Sequence, residues 1–144
     1  MTANLTATTS VLVKASPATV WHALTDPEIV SQAFFGAQID TDWQPGSPIT
    51  FSGQWQGKEF RDHGEILDAE PGDLLRFTHF SPLSGLPDRP ENHHVVSFEL
   101  APIEEDTRVA LTQSNAGNEE ERKHSEAMWM QVLTALKEAA EAAA

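Results

Sequence analysis

The chain contains no cysteine, which excludes a disulfide framework, a thiolate nucleophile and any zinc site built on Cys ligands. Positive charge is scarce: 9 Lys and Arg stand against 22 Asp and Glu, a formal net charge of −13. The resulting negative field repels phosphate backbones and anionic lipid, so neither nucleic acid nor a membrane surface is an expected partner. No apolar run approaches the roughly 20 residues of a membrane span. Met1 to Leu12 lacks the basic segment followed by an apolar core that marks an export signal, and a soluble, cytoplasmic protein is expected. Also missing are an HExxH or comparable ligand spacing, a phosphate loop, a dinucleotide fingerprint and a Ser/His/Asp order. No metal, cofactor or catalytic residue is therefore assigned. There is no repeat, low-complexity linker or break in composition, and 144 residues suit one domain over 1–144 that removes roughly 70% of its unfolded surface from water.

What is present is a clear division of periodicities. Leu5, Val11 and Val13 share one parity of a Thr-rich stretch, a half-buried strand running to about Lys14. Ser16 then caps a helix with Pro17 at its first position, where a missing N–H is harmless, and Val20, Trp21 and Leu24 form its apolar stripe. Asp26-Pro27 repeats the signal for a second short helix over Glu28 to Ala33, ending near Gly36. From Ala37 the period becomes two. Turns at Gln44-Pro45-Gly46-Ser47, Gly57, Glu70-Pro71-Gly72-Asp73 and Glu104-Glu105-Asp106 separate successive strands, and the proline-rich stretch Ser81 to Asn92 reads as a loop. A last strand carries Thr107, Val109 and Leu111 inward and ends before Asn115. Asn118 as N-cap with Glu121 three residues later, a capping-box arrangement, opens a long amphipathic helix from about Glu119 to Ala142, whose stripe is Ser125, Met128, Trp129, Val132, Leu133, Leu136 and Ala139 or Ala140.

That order is the helix-grip order: an α+β fold with a curved antiparallel sheet of about six to seven strands, two short helices after the first strand, and a long C-terminal helix across the concave face. The run Ala15-Ser16-Pro17-Ala18-Thr19-Val20-Trp21-His22-Ala23-Leu24-Thr25-Asp26-Pro27-Glu28 resembles the opening of the START-like (SRPBCC) superfamily, in the branch named for the activator of Hsp90 ATPase. Gly64 to Pro71 with Leu75-Arg76-Phe77-Thr78 resembles that branch's central strand pair, and Asp106 to Thr112 its last strand. Trp129 stands where the branch usually has a Trp on the C-terminal helix. The likeness spans about Val11 to Leu136. Two departures concern the interior: Met128 replaces a frequent Gly, and His79 stands where a Trp is common. The resemblance implies a fold and a range of behaviours, from carriage of lipids and hormones to cyclases and co-chaperones.

Candidate site residues follow from the inward parities. Trp21, Phe34, Phe35, Phe51, Trp55, Phe77, Phe98 and Trp129 supply an aromatic wall for a flat apolar molecule, or plain core packing. Met128 and Val132 extend it along the helix. His79 ends one strand and His94 begins the next; if the strands pair, their imidazoles meet at the cavity mouth, with His63 a possible third. The plainer alternative is a pair of half-exposed histidines. Gln113 and Ser125 are polar residues on buried faces and need partners, which marks them for a ligand's polar end. Asp62, with Glu59, Glu65, Asp68, Asp40 and Asp42, is expected to face water. Leu83 and Leu86 are expected to shelter near Phe34, Phe35 and Met128, making Ser81 to Asn92 a lid.

The expected function is binding of a small apolar or aromatic molecule between sheet and helix. The alternatives are a chaperone-associated module acting by protein contact, and a cyclase-like or hydrolase-like enzyme using His79 and His94. The sequence leaves monomer and homodimer both open.

Overall fold

A computed structural model describes residues 5–55, 57–82 and 85–144, with Trp55 described in its backbone alone. Local capping sets the first half. After β1 (Leu5–Val13), the Ser16 hydroxyl accepts the Thr19 N–H at 3.3 Å and starts α1 (Pro17–Thr25). Asp26 then ends α1 and begins α2 (Pro27–Ala33) in one residue, its Oδ1 accepting the N–H groups of Glu28 at 3.0 Å and Ile29 at 3.2 Å. The strands β2 (Gln38–Asp40), β3 (Pro48–Trp55), β4 (Lys58–Glu70), β5 (Leu74–His79), β6 (His94–Ile103) and β7 (Asp106–Ala116) follow, and α3 (Glu119–Ala143) closes the chain.

The seven strands form one antiparallel sheet in the order β1-β7-β6-β5-β4-β3-β2. Alternation places Phe51, Ile66, Leu75, Phe77, Val96, Phe98, Val109 and Leu111 on the face toward α3, where they join Trp129, Val132, Leu133, Leu136 and Ala140 in one core. Burial of each such large side chain is worth about 1.5–3 kcal/mol. Helices α1 and α2 pack against α3, and α2 also meets β2 at the sheet's edge.

The sheet bends at β4. A Cβ on Gly64 would lie 1.7 Å from the Thr78 carbonyl oxygen, so only glycine permits the approach. A register shift between Ile66 and Asp68 adds a bulge, which bends a strand and raises its twist. The opposite edge is guarded by α3. Glu126 accepts the Thr8 N–H at 3.0 Å, Glu141 accepts the Lys14 N–H at 2.9 Å, and Lys137 donates to the Leu12 carbonyl at 3.0 Å.

Three details depart from the sequence reading. Strand β7 continues past Asn115 to Ala116, because Asn115 takes a left-handed φ of 67° and the pairing with β1 shifts register there instead of stopping. At the α3 entrance Asn118 accepts the Glu121 N–H at 2.8 Å, while the returning Glu121 carboxylate takes the N–H of Gly117, one residue earlier than a capping box requires. The Ser81 to Asn92 segment does not shelter Leu86, which is 54% exposed; Leu83 lies outside the described residues. The segment is anchored on the sheet face turned away from α3. There Asp88 takes His63 Nε2 at 2.9 Å and His93 Nε2 at 2.6 Å, and Phe80 is buried against both imidazoles. A lid over the grip is not what these contacts build.

Candidate functional site

Strand register decides which side chains look into the grip. His79 pairs directly with His94 across β5 and β6, and their rings stack with centroids 6.3 Å apart. His94 Nδ1 lies 2.9 Å from the Ser114 carbonyl oxygen. A carbonyl only accepts, so Nδ1 carries the hydrogen and Nε2 of the neutral ring keeps the lone pair. His79 Nε2 lies 2.9 Å from Asp62 Oδ2. The same logic gives His79 Nε2 the hydrogen and leaves Nδ1 as the acceptor.

Asp62 is the residue sequence reasoning misplaced. It pairs with Phe51 across β3 and β4 and therefore shares Phe51's inward face, with a side chain only 16% exposed. Its Oδ1 is buried without a hydrogen-bond partner among the described residues. The available signal was parity: Phe60 and Asp62 alternate with exposed Glu59 and Arg61. Among so many solvent-facing acids, one inward acid could not be told apart without the partner strand. His63, whose parity the sequence left open, faces the other side with His93 and Asp88. The hydrogen bond from His93, despite some desolvation, holds the Asp88 carboxyl below its ordinary range.

Gln113 and Ser125 are both buried. The Trp129 indole N–H donates to Gln113 Oε1, which gives that amide the partner its burial demands. Around this bond five aromatic rings close a circuit. Phe34 meets Phe51 at 6.1 Å and Trp129 at 5.6 Å; Phe51 meets Phe77 at 5.8 Å, Phe77 meets Phe98 at 6.3 Å, and Phe98 meets Trp129 at 6.1 Å. Phe51 also sets its edge against His79 at 5.3 Å.

These rings fill the space between sheet and helix. The voids among the described core residues include two of about 10 Å³, one beside Phe34, Trp43 and Phe51, the other beside Val11, Leu133 and Leu136. Each holds about one water, far short of the roughly 300–1,000 Å³ of a ligand pocket. Of the remaining candidates, Val132 is buried, Trp21 and Met128 are half-buried against the core, and Phe35 is 54% exposed. Phe35 points away from the grip because the chain reverses there, with φ of 58° at Phe35 and 84° at Gly36. The described residues contain no group of three or more His, Asp or Glu able to hold a metal ion, and no helix long and apolar enough to cross a membrane.

The family model of the Activator of Hsp90 ATPase homolog 1-like proteins matches residues 14–141. The chain belongs to that family. Among solved structures, protein ChR145 from Cytophaga hutchinsonii is 42% identical, with 93% of this chain and 92% of that one covered and a TM-score of 0.81. The Aha1 dimer from Colwellia psychrerythraea is 22% identical over 95% of this chain and 96% of that one, TM-score 0.73. Ara h 8.0201 is 10% identical over 96% and 98%, TM-score 0.76. The last two likenesses are of fold alone, and together they confirm the helix-grip architecture of this START-like family member. No curated protein matches the chain.

Proposed function

We propose that this family member binds a small, largely apolar or aromatic molecule between the sheet and α3, at the end where His79 and His94 stand. The observation that carries the reading is an inward-facing polar set, Asp62, His79, His94 and Gln113, at one end of an interior that is otherwise mostly apolar and ring-lined. Buried polar groups are expensive, and a purely structural core has little need of an Asp–His pair. His79 and Asp62 are 28% and 16% exposed, so the set can be reached from solvent. Because the rings fill the interior, binding requires one wall to move. Phe34 is that wall: it ends the seven-residue α2, is itself half-buried, and is followed by the left-handed Phe35 and Gly36.

Thermal-shift and native mass spectrometry measurements against aromatic, polyketide-like and lipid compounds test the reading. A binder present at 100 times its Kd raises stability by about 2.7 kcal/mol. No binder across the panel, with unchanged amide shifts at Phe34, Phe51 and Trp129, overturns it. A second reading, contact with an Hsp90-type chaperone, is supported by the family description and by the charge of −13, which suits a basic partner surface. It is tested by salt-sensitive co-purification with that chaperone.

A further inference from the structure

The two imidazole donors of this polar set both point at the protein. His79 Nε2–H is committed to Asp62 Oδ2 and His94 Nδ1–H to the Ser114 carbonyl. What each leaves over is an acceptor: Asp62 Oδ1, His79 Nδ1 and His94 Nε2 in the neutral rings. Asp62 Oδ1 is buried and lacks any partner among the described residues. A buried acceptor left unmet is destabilising, so a ligand that meets it recovers that loss on binding.

We infer that the site selects molecules carrying a hydrogen-bond donor, a hydroxyl or amino group on an aromatic or polycyclic body, with Asp62 Oδ1 as the anchor, and that it rejects carboxylates. The inference rests on the binding reading above and adds the chemistry of the ligand's polar end. His79 is kept in place for this role by the edge contact with Phe51 and the stacking with His94, so the carboxylate's occupied oxygen stays occupied. The apolar body of the ligand would lie against Phe51 and displace Phe34. An anionic ligand would meet a carboxylate, two lone pairs and the field of a chain with net charge −13.

The test uses three matched probes, 2-naphthol, 2-methylnaphthalene and 2-naphthoate, titrated into the 144-residue chain at about pH 8, where ordinary histidines are neutral, and followed by amide chemical shifts. The expected result is naphthol binding at least about tenfold more tightly than methylnaphthalene, with naphthoate weakest. In Asp62→Asn, an isosteric change whose folding the same spectra report, the naphthol preference should fall to near unity. Equal binding of naphthol and methylnaphthalene to the wild type overturns the anchor and leaves the binding reading standing. A preference that persists in Asp62→Asn overturns the assignment to Asp62. No binding by any probe, with no binder in the wider panel, overturns both.

Discussion

The backbone N–H of Thr8 donates to the Glu126 carboxylate at 3.0 Å, joining the outer edge of the first strand to the last helix across 118 positions of sequence. With Lys14 held by Glu141 and Leu12 by Lys137, side chains of α3 occupy the hydrogen-bonding groups that an edge strand would otherwise offer to another chain. The other edge is protected differently, by the brevity of the three-residue β2.

The double variant Glu126→Ala/Glu141→Ala should therefore expose the β1 edge. Faster amide exchange at Thr8 and Lys14 is expected, together with concentration-dependent self-association in light scattering. Unchanged exchange at both amides would show that the helix backbone, rather than its carboxylates, shields the edge.

Gly64→Ala should be among the most damaging single changes in the chain. A methyl placed 1.7 Å from the Thr78 carbonyl oxygen forces β4 and β5 apart at the bend. A loss of about 3 kcal/mol is expected, read from denaturant melts. Gly46, whose Cβ would meet nothing within 4 Å but whose φ is 88°, should show only the milder strain of its turn.

Trp129→Phe separates packing from hydrogen bonding. The phenyl ring keeps part of the contact with Phe34 and Phe98, but Gln113 Oε1 loses the indole N–H. Leaving that buried acceptor unmet should cost about 1–3 kcal/mol, whereas Trp129→Ala should cost about 3–5 kcal/mol. Adding Gln113→Leu to Trp129→Phe should recover part of the smaller loss, which a double-mutant cycle in urea measures.

Acid should loosen the segment folded on the far side of the sheet. The Asp88 carboxyl sits below its ordinary 3.8, chiefly through the hydrogen bond from His93 and then through the charge of His63. A carboxyl whose folded pKa is depressed stabilises the fold above its unfolded value, and that contribution disappears as pH falls through the folded value. Amide exchange at Pro90-flanking residues Arg89 and Glu91 should rise below about pH 4. Asp88→Asn should show the rise already at neutral pH, with little further change on acidification.

Much of the fold was legible because local signals agreed with one another. Ser16 with Pro17, Asp26 with Pro27 and Asn118 with Glu121 mark three helix starts through short-range capping chemistry, and at each the cap side chain accepts an N–H of the first turn as expected. The stripe Ser125, Trp129, Val132, Leu133 and Leu136 follows from helical period alone. The juxtaposition of His79 with His94 follows from two strands joined by a loop.

Other features depend on contacts that no local pattern encodes. Asp62 turns inward because its register against β3 pairs it with Phe51, and register between strands is a tertiary property; its neighbours in sequence resemble any solvent-facing run. The lining of the expected cavity was readable as aromatic, yet whether five rings leave a pocket or close on one another depends on how Phe34 comes to rest between Phe51 and Trp129. The Ser81 to Asn92 segment went to the far face because Asp88 found His63 and His93 there. The sequence by itself determined the elements, their order and the family; tertiary structure decided which acid is buried, which face the loop covers and that the interior is filled, since each is settled by the packing of residues distant in sequence.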